Sequence, residues 1–144
     1  LSYTSFEYGD LVVKETGGNF LNKLMGKGSM SGIEVSFKIT NTGDVRGKEA
    51  AQVYLTLPDE VGEPAKRLVN FDKVDLKPGE SKRVTLKINH DDANHPFSYF
   101  VPDEPENLDN WADGEWITAD GEYQVHVGGS SADTPLEEKV SLNF

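Results

Sequence analysis

Residues 33–40 read IEVSFKIT, in which apolar and polar side chains alternate without a break. Successive side chains of a β-strand point to opposite faces, so this pattern predicts a strand with one buried and one solvated face. The same alternation recurs at residues 53–57, 84–88, 123–127 and 140–142, and a weaker form lies at 6–13 and 66–74. On the polar side of this alternation, Tyr54 and His126 are predicted to face solvent. The predicted buried side chains are Ile33, Val35, Phe37, Ile39, Val53, Leu55, Leu57, Val84, Leu86, Ile88, Tyr123, Val125 and Val127.

Turn-forming residues separate these segments. Residues 77–80 place a proline and a glycine at the two central positions of a type II turn. Residues 41–44 offer an asparagine and a glycine that tolerate a positive φ, and glycines at 121 and 128–129 bracket the strand near residue 125. No amphipathic helix of convincing length lies between the strands, which argues against the crossover helices of an α/β fold. The sequence therefore predicts an all-β, immunoglobulin-like or fibronectin type III-like sandwich of two antiparallel sheets with seven or eight strands.

Length, charge and cysteine content narrow the function classes. The 144 residues fit one domain, residues 1–144, with a core of its own. A formal net charge of −11 repels phosphate backbones and anionic lipids, so we expect neither a nucleic acid nor a membrane as partner. The chain has no cysteine, which leaves its localisation open. It opens without a signal peptide, so we expect either a processed chain or a segment of a longer protein.

Four blocks, in order, point to a family. They are LSYTSFEYGDL at 1–11, NTGDVRGKEAAQVYL at 41–55, AKRLVNFDKVDLKPGESKRVTL at 65–86 and GEYQVHVGGSSAD at 121–133. Together they resemble the fibronectin type III-like domain at the C-terminus of glycoside hydrolase family three enzymes, mostly β-glucosidases and β-xylosidases. The resemblance implies a non-catalytic accessory domain, cut from a longer glycoside hydrolase, that packs against and stabilises the catalytic domains. The catalytic carboxylates of the family lie in those preceding domains, and no position here matches their motifs, so we expect no catalytic residue in this chain.

The third block also carries a packing prediction. Leu68, Phe71, Val74 and Leu76 are interpreted as apolar anchors of a chain that crosses from one sheet to the other. Compared with the family, residues from about 101 to 113 look inserted, and they bring one tryptophan and several carboxylates.

Two long loops are predicted, near 16–31 and 89–119, and they hold the candidate sites. In the first, Phe20, Leu21, Leu24 and Met25 form an apolar group that we interpret as a surface for domain docking. The second is rich in aromatic residues, and exposed aromatic rings stack on sugars or lignin. The alternative function is thus a polysaccharide- or lignin-binding module that acts through Trp111, Trp116 and Tyr99.

Other chemistries find less support in the sequence. The acidic residues between 103 and 115 offer oxygen ligands for calcium, but their spacing does not follow the EF-hand loop. His90 and His95 do not have a recognised metal spacing, and no phosphate- or dinucleotide-binding glycine motif occurs. We therefore expect no metal site and no cofactor. A cell-surface adhesion domain has only the fold in its favour.

Overall fold

The computed structural model describes residues 4–16, 32–58, 66–89, 92, 94–101 and 115–142, with only the backbone for 100 and 101. Nine β-strands occupy these residues: β1 (Phe6–Thr16), β2 (Gly32–Asn41), β3 (Gly47–Thr56), β4 (Arg67–Leu76), β5 (Ser81–Asn89), β6 (Ser98–Val101), β7 (Glu115–Thr118), β8 (Gly121–Gly128) and β9 (Leu136–Leu142). The described part contains no helix, and so none long and apolar enough to cross a membrane.

The strands form two main sheets and a small ribbon. One sheet has the order β1-β2-β5, the other has the order β4-β3-β8-β9, and β6 pairs with β7 alone. All pairings are antiparallel. The prediction of an all-β sandwich is confirmed, with one or two strands more than expected. The extra strands are β6 and β7, four residues each, which lie inside the predicted 89–119 loop and are too short to reveal themselves by alternation.

The core lies between the two main sheets. The inner side chains of β2, namely Ile33, Val35, Phe37 and Ile39, have no solvent exposure, as their alternation predicts. They pack in one cluster with the inward residues of β3, β5 and β8. Burying the apolar faces of two sheets against each other is the dominant stabilising contribution in such a sandwich.

An irregularity in β4 changes which of its side chains are buried. Val53 pairs with Asn70 and Tyr54 with Leu68, so Val69 is an extra residue on β4, a β-bulge. Val69 faces the core, while Leu68 and Phe71 are 47% and 55% exposed. The prediction that Leu68 and Phe71 anchor the core is therefore wrong: the bulge turns Leu68 outward, and Phe71 lies on the opposite parity to the buried Val74 and Leu76. Val74 and Leu76, which lie beyond the bulge, are buried as predicted.

The outer face of the four-stranded sheet is less solvated than its alternation suggests. Tyr54 and His126 pair across β3 and β8 and are only 8% and 4% exposed, so the prediction that they face solvent is wrong. His126 Nε2 lies 2.9 Å from Thr56 Oγ1, and its Nδ1 lies 3.1 Å from Glu137 Oε1. These bonds compensate for the burial of the imidazole, since both ring nitrogens have a partner.

The turns follow two different mechanisms. Gly79 has a φ of +78°, which agrees with the glycine position of the predicted type II turn. In the turn after β2 no residue has a positive φ; instead, the buried side chain of Asn41 organises it. Its Nδ2 donates to the carbonyl oxygens of Val45 and Leu76, both at 2.9 Å, while Oδ1 accepts from Gly43 N at 3.0 Å and Thr4 Oγ1 at 2.7 Å. The chain thus reverses its direction here through the hydrogen bonds of the Asn41 side chain and not through a residue with a positive φ.

Candidate functional site

The β6–β7 ribbon is fixed at its base by one buried tyrosine. The hydroxyl of Tyr123 on β8 lies 2.9 Å from the carbonyl oxygen of Phe97 and 2.5 Å from that of Ala119. These two residues immediately precede β6 and follow β7, and Ala119 N also donates to Phe97 O at 3.0 Å. The Phe97 and Tyr123 rings meet edge to face, with centroids 5.7 Å apart. Tyr123 therefore joins both ends of the ribbon to the core.

Electrostatics keep this anchor protonated. Burial raises the pKa of the Tyr123 hydroxyl well above its ordinary value, and the nearby negative charge of Asp120 raises it further. The hydroxyl thus retains the one proton that it can donate to either carbonyl across the physiological pH range.

A second set of bonds holds the segment before β6. Arg67 Nη1 donates to the carbonyl oxygens of Ser98 at 2.6 Å and His95 at 3.1 Å. Asn94 Nδ2 donates to Val69 O at 3.2 Å, which ties the same segment to the bulge of β4. His95 has a φ of +48°, an uncommon conformation that asparagine, aspartate and histidine adopt more often than other residues with a side chain. The surrounding bonds maintain this strained backbone and set the direction of the imidazole ring.

The imidazole of His95 stacks on the indole of Trp116. Their ring centroids are 4.0 Å apart and their planes differ by 5°. Trp116 remains 48% exposed, so the stacked imidazole covers part of the indole and a large part stays in contact with solvent. A flat apolar ring that is stacked on one neighbour and still half-exposed suits contact with a sugar ring or another aromatic group.

The ribbon does not bring all the predicted aromatic contacts together. Tyr99 pairs with Ile117, the residue next to Trp116, so the strand alternation places Tyr99 and Trp116 on opposite faces of the ribbon. Tyr99 is half-buried and packs against the core. Trp111 lies outside the described residues. Of the three predicted ring contacts, Trp116 is thus the one that the described structure presents to solvent.

Metal chemistry finds no support in the described ranges. They contain no group of three or more histidine, cysteine, aspartate or glutamate side chains that could hold an ion. The acidic residues from 103 to 113, which the sequence offered as calcium ligands, lie outside the described part.

Comparison with known proteins identifies the domain type. The family model described as the fibronectin type III-like domain matches residues 49–131. The chain belongs to this family. Thermostable β-glucosidase B of Acetivibrio thermocellus is 34% identical to it over 146 residues, which cover 99% of the chain and 16% of that protein. "Probable beta-glucosidase G" of Neosartorya fischeri is 40% identical over 110 residues, 75% of this chain and 12% of that one.

Solved structures give the same result. The GH3 β-glucosidase of Bifidobacterium adolescentis aligns with a TM-score of 0.72 and 32% identity, over 99% of this chain and 18% of its own. The β-glucosidase D2-BGL of Chaetomella raphigera aligns with a TM-score of 0.74 and 33% identity, over 99% and 19%. The fibronectin type III-like domain thus spans less than a fifth of the length of each of these relatives.

Sequence reasoning missed one surface of the fibronectin type III-like domain. Leu68 and Phe71 stand exposed on the outer face of the four-stranded sheet, beside the nearly buried Tyr54. Their apolar character was visible in the sequence, but it was interpreted as burial in the core. The outward direction of Leu68 depends on the bulge, and that of Phe71 on its parity opposite to Val74 and Leu76. The predicted docking group at 20–25 lies outside the described residues, and it stays a prediction.

Proposed function

We propose that this fibronectin type III-like domain is a non-catalytic accessory part of a β-glucosidase, in which it packs against the catalytic domains and stabilises them. One observation carries this proposal: relatives and solved structures that align over nearly the whole domain are β-glucosidases in which it forms a small part. The catalytic function belongs, on this view, to the remainder of the parent chain.

The physical properties of the domain support such a role. Its core is continuous from sheet to sheet and includes the fully buried Phe37, Leu55 and Tyr123. A sandwich with its own core is a rigid body, and rigid bodies that cover an apolar surface of a neighbour raise the free energy of unfolding of that neighbour.

Deletion of residues 1–144 from the parent β-glucosidase is expected to lower its thermal unfolding midpoint by at least several degrees and to reduce its soluble yield. The reason is that the surface covered by the domain would become exposed to water. Differential scanning calorimetry and residual activity after heating measure the effect. A deletion variant with unchanged midpoint, yield and activity would contradict the stabilising role.

A second candidate function, binding of polysaccharide or lignin, is favoured by the half-exposed Trp116. The indole is backed by His95, and the base of its ribbon is held by the Tyr123 and Arg67 bonds. A ring fixed in this way loses little conformational entropy when it binds, which is the advantage of a preorganised contact.

The binding candidate predicts that Trp116→Ala lowers adsorption of the domain to insoluble cellulose, xylan or lignin several-fold. The measurement is the fraction of protein depleted from solution, with Trp111→Ala tested in parallel. Phe71→Ala is the matched control, because it removes an exposed aromatic ring from a different surface. Equal losses for Phe71→Ala and Trp116→Ala would indicate non-specific apolar adsorption, and no depletion of the unmodified domain would end this candidate.

A further inference from the structure

The outer face of the four-stranded sheet carries two exposed apolar side chains, Leu68 and Phe71, on either side of the β-bulge at Val69. Because Val69 is an extra residue, Leu68 and Phe71 point to the same face although they are three residues apart on a strand. Regular alternation would have put one of them in the core. Phe71 is 55% exposed, a large fraction for an aromatic residue.

Hydrogen bonds fix the side chains of the adjacent strand β3 that lie beside this pair. Leu68 pairs with Tyr54 and Phe71 with Gln52 on the adjacent strand β3. The Tyr54 hydroxyl donates to Gln52 Oε1, and Gln52 Nε2 donates to Gly129 O at 3.0 Å. These bonds fix the two polar neighbours, so the exposed apolar pair projects from a preorganised surface. We call this surface, formed by Leu68, Phe71, Tyr54 and Gln52, the β4 face.

The charge of the chain disfavours a second copy as the occupant of the β4 face. Each copy carries a formal net charge of −11, and two such surfaces repel each other at moderate ionic strength. Lys73 and Asp75, the next outward side chains along β4, are both exposed, so the charges beside the pair are mixed.

The remainder of a longer chain is the better occupant. The matched segment is only 16% of the Acetivibrio β-glucosidase and 19% of the Chaetomella structure, so most of each of these proteins lies outside it. A covalently connected neighbour is present at a high effective concentration, and a small apolar anchor then suffices to hold an interface. We propose that the β4 face, with Leu68 and Phe71 at its centre, is the surface that packs against the catalytic part of the β-glucosidase, an inference that rests on the accessory role proposed above.

Cysteine labelling in the full-length β-glucosidase tests this inference directly. The domain has no cysteine, so Phe71→Cys or Leu68→Cys introduces a single thiol whose modified peptide can be identified by mass spectrometry. Val45→Cys is the matched control, since Val45 is 46% exposed in the turn between β2 and β3. We expect maleimide to label positions 68 and 71 at least about tenfold more slowly in the full-length protein than in the isolated domain, and position 45 at similar rates in both.

The outcomes separate this inference from the accessory role. Equal labelling of position 71 in the two proteins, or slow labelling in both, would overturn the β4 face as the contact. If deletion of the domain still lowers the unfolding midpoint of the parent, the accessory role stands and another surface makes the contact. If deletion has no effect and position 71 labels rapidly, both proposals fail. Leu68→Cys provides the same measurement if Phe71→Cys does not fold, which circular dichroism of the isolated domain would show.

Discussion

Tyr123→Ala is expected to lower the free energy of unfolding of the domain by about 3–5 kcal/mol, the cost of removing a large, fully buried aromatic side chain. The loss has two parts, because the ring packs against Phe97 and the hydroxyl bonds the two carbonyls at the base of the ribbon. Urea denaturation followed by circular dichroism measures the total.

Tyr123→Phe separates the two parts. It keeps the ring and removes the hydroxyl, and we expect a loss of about 1–3 kcal/mol because both carbonyls lose the hydroxyl as a partner, although Phe97 O keeps the bond from Ala119 N. Trp116 lies on β7, and the other tryptophan, Trp111, comes a few residues before it in the sequence, so fluorescence reports on this region. We expect fluorescence of this variant to change at a lower urea concentration than circular dichroism. Coincident transitions at the original midpoint would show that the hydroxyl does not anchor the ribbon.

Asn41→Ala is the second substitution with a large expected effect, a loss of about 2–4 kcal/mol in the free energy of unfolding. The buried amide takes part in four hydrogen bonds, each with a net contribution near 1 kcal/mol. No other side chain among the described residues bonds both the Val45 and the Leu76 carbonyls. Thermal unfolding monitored by circular dichroism checks this value.

The matched control for this change is Asn70→Ala. Asn70 also donates from Nδ2 to a carbonyl, that of Lys87 at 2.9 Å, but near solvent, where water replaces the lost partner. We expect a loss below about 1 kcal/mol. Similar losses for the two variants would mean that the buried amide at position 41 has no special role in the turn.

The sequence allowed the sandwich to be predicted because alternation and turn residues act locally. From residue 33 to residue 39 apolar and polar side chains alternate, and the apolar ones, Ile33, Val35, Phe37 and Ile39, are fully buried. The prediction went wrong at Leu68, Phe71, Tyr54 and His126, where burial depends on contacts between distant strands. A bulge changes the pairing of two strands without any change in composition, so a pattern of apolar residues cannot locate it.

The candidate sites were predictable only in part. An aromatic-rich stretch between β5 and β8 was visible, but its division into two short paired strands was not, and this pairing separates Tyr99 from Trp116. The strained His95 that stacks on Trp116 gave no signal in the sequence beyond a histidine in a loop. Leu68 and Phe71 were interpreted as core residues, since a single sequence does not distinguish an interior apolar side chain from an exposed one.

The bulge in β4 has a consequence for association with the wrong molecules. β4 and β1 are both outermost strands of their sheets, and both are irregular, since the pairing of β1 shifts between Gly9 and Val12, where Asp10 has a φ of +54°. An outermost strand with regular backbone groups is a template for β-strands of other chains and hence for amyloid-like aggregation. Interrupted rows of N–H and C=O groups cannot be extended in register. β4 can therefore display Leu68 and Phe71 at the edge of its sheet while its own backbone resists the addition of a foreign strand.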